Sequence, residues 1–187
     1  MALNLVTRAE YKTYKGISST NQDAILDFII PRVSQYVKSY CRRTFVDYVD
    51  VAKTEIFDGD TAFYMLGESP VASITSLEYS ADYGQTWTAL VQYVDWVLSD
   101  NMLIPISGSF PKYLRGYRVV YKAGYDDVPV DLALAVFDLI SYYLKNEGAV
   151  NTMKTTNTTT MQIEYIADTA LPSHIKRVLD LYMLDYN

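Results

Sequence analysis

Acid–base chemistry through an imidazole needs a neighbouring acid or nucleophile, and the chain has one histidine, His174. No partner for it is nominated by spacing, so it is expected at the surface or capping a helix. Cys41 is the single cysteine. An intrachain disulfide is therefore excluded, as are most zinc sites, which draw on clusters of Cys and His. The carboxylates Asp58, Asp60 and Glu78 are the candidates for a divalent-metal centre of a hydrolase or nuclease accessory. A calcium loop at Asp58-Gly59-Asp60 would need further spaced oxygen ligands, and the flanking residues offer few. The leading reading has no catalytic residue, no cofactor and no metal.

The elements that would carry any site follow from composition and period. The 187 residues are half hydrophobic and one-fifth charged, which suits one well-buried globular domain over residues 1–187. No apolar run approaches the roughly 20 residues of a membrane span. The opening MALNLVTRAEYK has neither a basic n-region nor an apolar h-region, so no signal peptide is expected. A net charge of −6 argues against general affinity for nucleic acid, because phosphate contacts need clustered Lys and Arg. The 18 tyrosines supply large contact area at low entropic cost, which suits protein interfaces as well as strands and helix faces.

Thr7-Arg8-Ala9-Glu10 has capping-box form and Gly16 can end the turn, predicting a helix over 8–15. A second start at Thr20 leads into a helix to about Cys41, with Ile25, Phe28, Ile29, Tyr36 and Tyr40 on one face and Pro31 expected to kink or split it. Lys38, Arg42 and Arg43 then complement the negative end of its dipole. From about 46 to 125 the chain reads as short strands. A hairpin is expected around Asp58-Gly59-Asp60, joining Ile56-Phe57 to Phe63–Leu66, with Gly59 at positive φ. Further strands are expected over 74–79, 87–91, 93–98, 102–106 and 117–121, and the basic residues Lys112, Arg115, Arg118 and Lys122 are read as solvated. Pro129 opens the chain's most apolar helix, ended by Gly148. Leu132, Val136, Leu139, Ile140 and Tyr143 form one face, and Leu134, Phe137 and Leu144 extend it nearly all round. Such a helix is buried on more than one side, some of it against another subunit. NTMKTTNTTT at 151–160 reads as a loop and 161–165 as a strand that could pair within the chain or with a neighbour's sheet edge. A last helix begins at Leu171-Pro172 and aligns Ile175, Val178, Leu179, Tyr182 and Tyr186.

The predicted fold class is α+β: a small bundle of about four helices, from about 1–45 and 126–187, with an inserted antiparallel β layer at about 46–125. LVTRAEYKTYKGI followed by NQDAILDFIIPRVSQYVKSYCRRTF, then FDGD with SPVASITSLEYS, then VVYKAGYDDVPVDLALAVFDLISYYLKN and the tail LPSHIKRVLDLY stand in an order that covers nearly the whole chain. Together they resemble the head-tail connector family of tailed phages, the adaptor ring attached below the portal. The stretch 80–114 is longer than in small family members and suggests an added β layer.

The resemblance implies a structural, non-enzymatic homo-oligomeric ring, commonly dodecameric, that sits in the virion neck and is made in the host cytoplasm. The ring would bind the portal on one side and a tail or stopper protein on the other. DNA would pass through its lumen without sequence-specific binding, and no membrane is involved. Candidate subunit or portal contacts are Tyr142, Tyr143, Ile175, Leu179, Tyr182 and Tyr186. The alternatives are the metal-dependent accessory above and a monomeric β-rich binding module, which differ from a connector in metal binding and in assembly state.

Overall fold

Capping chemistry, strand parity and two register shifts in β3 explain most of the architecture. The computed structural model describes residues 3–146 and 171–184. Four helices and seven strands are formed, in the order α1 (Arg8–Lys15), α2 (Asp23–Cys41), β1 (Lys53–Phe57), β2 (Tyr64–Met65), β3 (Val71–Tyr79), β4 (Thr88–Leu90), β5 (Trp96–Ser99), β6 (Met102–Pro105), β7 (Tyr117–Ala123), α3 (Val130–Asn146) and α4 (Ser173–Leu181). This is an α+β fold with two antiparallel sheets, ordered β1-β7-β3-β4 and β2-β6-β5. The chain forms two compact units: Met1–Leu3 with Arg42–Val128, which is β-rich, and Asn4–Cys41 with Pro129–Asn187, which is helical. The predicted loop at 151–160, the strand at 161–165 and Tyr186 lie outside the described residues.

In the β-rich unit β7 is the central strand, and its alternation is complete: Tyr117, Val119, Tyr121 and Ala123 are buried while Arg118, Val120 and Lys122 are half-buried. On β3 the alternation looks faulty because Ile74 and Leu77 are three apart. The register explains it. Ile74 faces Tyr121 and Leu77 faces Val119, with a bulge between Ile74 and Ser76 that adds one residue and restores the core face. Phe57 stacks on Tyr64 with centroids 3.8 Å apart and on Tyr117 at 5.2 Å, and Phe110 meets its edge at 5.5 Å.

The expected hairpin at Asp58-Gly59-Asp60 is not formed. β1 pairs with β7 and β2 pairs with β6, because the apolar run at 63–66 joins the second sheet instead of turning back on β1. Positive φ falls on Asp60, at 71°. Gly59 is required for a different reason: a Cβ there would lie 1.8 Å from the Pro111 carbonyl oxygen. Its N–H donates to the Tyr113 carbonyl at 2.9 Å.

In the helical unit the Thr7 hydroxyl accepts from the Glu10 N–H, the Glu10 carboxylate accepts from the Thr7 N–H, and Gly16 closes α1 in the left-handed region at φ 66°. Lys12 bonds Asp23 at 2.7 Å and Arg8 bonds Asp27 at 2.6 Å, tying α1 to α2. The Lys12 bond holds the Asp23 carboxyl below its usual range, opposed by partial desolvation. α2 is one continuous helix through Pro31, so the expected split does not occur. Pro31 sits on the exposed side, where a missing backbone bond is cheap, and the Arg32 guanidinium donates to the Phe28 carbonyl beside it.

The buried row of α2 is Leu26, Ile30, Val33, Val37 and Cys41. The predicted face is therefore turned away from the core: Phe28 and Tyr36 are exposed, and Ile25, Ile29 and Tyr40 are half-buried. Slim aliphatic and small side chains let α2 approach α3, where Leu132, Ala135, Val136, Leu139 and Ile140 are buried. Arg43 also departs from expectation. It lies in the β-rich unit, buried, with its guanidinium over the Phe45 and Tyr125 rings and a bond to the Ser69 carbonyl.

Candidate interaction surfaces

The residues named for metal chemistry are occupied elsewhere. Asp58 accepts from the Arg115 N–H, Asp60 pairs with Lys112 at 3.3 Å, and Glu78 pairs with Arg118 at 2.6 Å while that guanidinium lies over Trp87. Among the described residues no group of three or more His, Cys, Asp or Glu is placed to hold a metal ion. His174 is exposed, 3.9 Å from Asp138. No helix among the described residues is long and apolar enough to cross a membrane.

In the β-rich unit the buried Tyr121 and Glu68 form one knot with the half-buried Lys53 and Glu55. Tyr121 donates to Glu55 at 2.8 Å and accepts from the Glu68 N–H at 3.1 Å. Lys53 bonds Glu55 at 2.8 Å and lies 3.6 Å from Glu68, whose other oxygen accepts from the Thr44 N–H. Burial, then the Glu55 carboxylate, pushes the Tyr121 phenol far up, so it stays a donor. Burial works against the charge on Lys53, but its bond to Glu55 and the charges of Glu55 and Glu68 raise its pKa on balance. This satisfied network pins the segment 66–69 to β1 and β7 and offers no free group for catalysis. Sequence reasoning missed it. The signal was parity: Lys53 and Glu55 share the face of Phe57.

The helical unit uses tyrosine hydroxyls as ties between helices. Tyr11 meets Ser141 at 3.1 Å, Tyr14 donates to Asp138 at 2.9 Å, Tyr40 to Asp180 at 2.6 Å and Tyr182 to Asp131 at 2.6 Å. Bonding to an aspartate raises the Tyr14 and Tyr40 pKa values, with partial burial adding to each. Of the candidate contact residues, Ile175 and Leu179 are buried within this unit, Tyr182 is half-buried in its tie to α3, Tyr142 is half-buried, and Tyr143 is exposed. Tyr142 meets Tyr143 edge-on at 5.7 Å, and Tyr36 stacks with Tyr40 at 6.5 Å. Burial, then the Tyr36 and Tyr142 phenols, raises the Tyr143 pKa, so the α2 and α3 tyrosines are neighbours. Phe28 is 58% exposed on the same helix as Tyr36, with Arg32 stacked 3.4 Å over its ring. Among the described residues, Phe28, Tyr36 and Tyr143 are thus the aromatic rings of α2 and α3 that keep more than a third of their surface exposed.

A second exposed feature lies in the β-rich unit. At the turn 80–86 the Asp82 carboxylate accepts from the Ser80 hydroxyl, the Thr86 hydroxyl and the Gln85 and Thr86 N–H groups. These bonds, that of Ser80 foremost, hold its carboxyl well below the usual range.

A family model for head completion proteins matches residues 4–183. The chain belongs to the head completion protein family. A search of curated protein sequences returns no match. Among solved structures, a chain from "Virion of native gene transfer agent (GTA) particle" superposes with a TM-score of 0.61 at 16% identity, covering 97% of this chain and 89% of that one. A chain from "Neck of empty GTA particle computed with C6 symmetry" gives 0.60 at 16% over 97% and 89%. A third, from "Neck of native GTA particle computed with C12 symmetry", gives 0.57 at 17% over 98% and 95%. At these identities the likeness is one of fold, and it extends over nearly the whole head completion protein.

Proposed function

We propose that this head completion protein is a structural, non-enzymatic subunit of a connector ring in the neck of a tailed phage or phage-like particle, assembled in the host cytoplasm and retained in the virion. Family membership supports the role, and one observation carries the mode of assembly: Phe28 is 58% exposed on the helical unit, and Tyr36 and Tyr143 of the same unit are partly exposed. Large exposed aromatic surface of this kind mostly marks a protein contact. The folds with matching architecture come from necks solved with C6 and C12 symmetry, which supports a closed ring of side-by-side copies, a dodecamer included. The portal on one side, a tail or stopper protein on the other and a DNA channel through the middle complete this reading. A net charge of −6 suits a channel that lets DNA slip, because neutralising many phosphates would hold it.

Negative-stain imaging of the purified chain, alone and mixed with its own portal protein, tests the proposal. A ring decorating the tail-facing end of the portal is expected. A particle that stays monomeric and never decorates that end overturns it.

A further inference from the structure

We propose that an aromatic groove in the β-rich unit is a docking site for an extended, proline-containing segment of a partner protein that carries a Lys or Arg. The groove has a volume of about 300 Å³ and runs past the ends of β3, β4 and β6 to the segment 107–113. That is the lower end of the range for ligand sites and suits a few residues of extended chain. Its accessible rings are those of Tyr79 and Tyr113, 6.1 Å apart, backed by the buried Tyr117, 6.4 Å from Tyr113, and Phe110, 5.0 Å from Tyr117.

The polar groups of the groove select the occupant. The Tyr117 hydroxyl is spent on the Pro111 carbonyl at 3.0 Å, whereas those of Tyr79 and Tyr113 have no hydrogen-bond partner among the described residues. Their proximity registers on Tyr117, whose pKa is pushed up to about 12 by burial first and then by the Tyr113 and Tyr79 phenols. An aromatic wall with spare O–H donors suits a ligand with regularly exposed carbonyls and few N–H groups. A proline-containing segment is such a ligand, and it is already extended before it binds.

Asp95 is the one charged residue lining the groove. One of its oxygens accepts from the Val91 N–H at 2.7 Å, and it has no ion pair among the described residues. Its charge is therefore available to a cation on the occupant. Val94, which also lines the groove, is exposed beside Asp95 in sequence. The inference does not rest on ring assembly.

Fluorescence anisotropy of the full chain with labelled acetyl-decaproline peptides tests it, using Arg at either end in one pair and Glu in its place in a second pair. At least one Arg peptide is expected to bind and the Glu peptides to bind weakly or not at all. Asp95→Asn keeps an acceptor for the Val91 N–H, and Tyr113→Phe keeps the ring. Each is expected to weaken the Arg peptide about fivefold to tenfold, with an unchanged circular dichroism spectrum. The proposal fails if neither Arg peptide binds, if Arg and Glu peptides bind equally, or if both variants bind like wild type. It fails also if binding is blocked by self-association through the groove and recovered on dilution, because the occupant is then a second copy.

Discussion

The two units solve the same packing problem with different side chains. The β-rich unit packs aromatic rings in its core, where Phe57, Phe110 and Tyr117 stack around one another, and Lys53, Glu55, Glu68 and Tyr121 form a partly buried polar knot. The helical unit buries slim aliphatic rows and sends Phe28, Tyr36 and Tyr143 outward. Polar groups carried into a core with the rings must be satisfied by hydrogen bonds. Among the described residues, Phe28, Tyr36 and Tyr143 of the helical unit are exposed, while Phe57, Phe110 and Tyr117 of the β-rich unit are buried in its core.

The contrast can be broken at its strongest point by Leu139→Ala in the close-packed helical core. Leu139 is fully buried, so a loss of about 3 kcal/mol is expected in urea denaturation. Tyr121→Phe removes the donor to Glu55 and the acceptor for the Glu68 N–H, and about 2 kcal/mol is expected.

The same tyrosines predict a pH dependence. Tyr121 and Tyr117 have folded pKa values raised above the unfolded value of 10.0, that of Tyr117 to about 12. Their stabilisation is complete below pH 10.0 and is lost as pH rises beyond it. Denaturation midpoints should fall between pH 10.0 and about 12, and less steeply in Tyr121→Phe and Tyr117→Phe. Arg118→Gln, which gives up the Glu78 pair and the Trp87 stack, should cost about 1 kcal/mol. The double change Phe28→Ser with Tyr143→Ser should move stability by no more than about 0.5 kcal/mol yet prevent ring formation in size-exclusion chromatography. A large loss of stability in that last variant would mean that the two rings belong to the core after all.

Local chemistry was legible in the sequence. Thr7, Glu10 and Gly16 delimit α1 because a cap is built from neighbours, and the parity of Tyr117–Ala123 shows which side of β7 is buried. Pairing was not legible. β1 turns to β7, about sixty residues on, instead of to the adjacent run at Tyr64, and nothing within Ile56–Leu66 encodes that choice. The orientation of α2 was misjudged because two rows satisfy the same three- and four-residue spacing, one of aromatic and large apolar residues and one of slimmer residues. Only the closeness of α3 decides between them. For the candidate contacts the limit is chemical. Ile175 and Leu179 have the composition of a subunit interface and of a core alike, and only the placement of α4 shows them buried in their own unit.

The division of the chain has a consequence for the order of folding. The β-rich unit is drawn almost wholly from one continuous stretch, Arg42–Val128, whereas the helical unit needs α1 and α2 from before that stretch and α3 and α4 from after it. During synthesis the β-rich unit is therefore complete first, and α2 waits with its Leu26-to-Cys41 row uncovered until α3 leaves the ribosome.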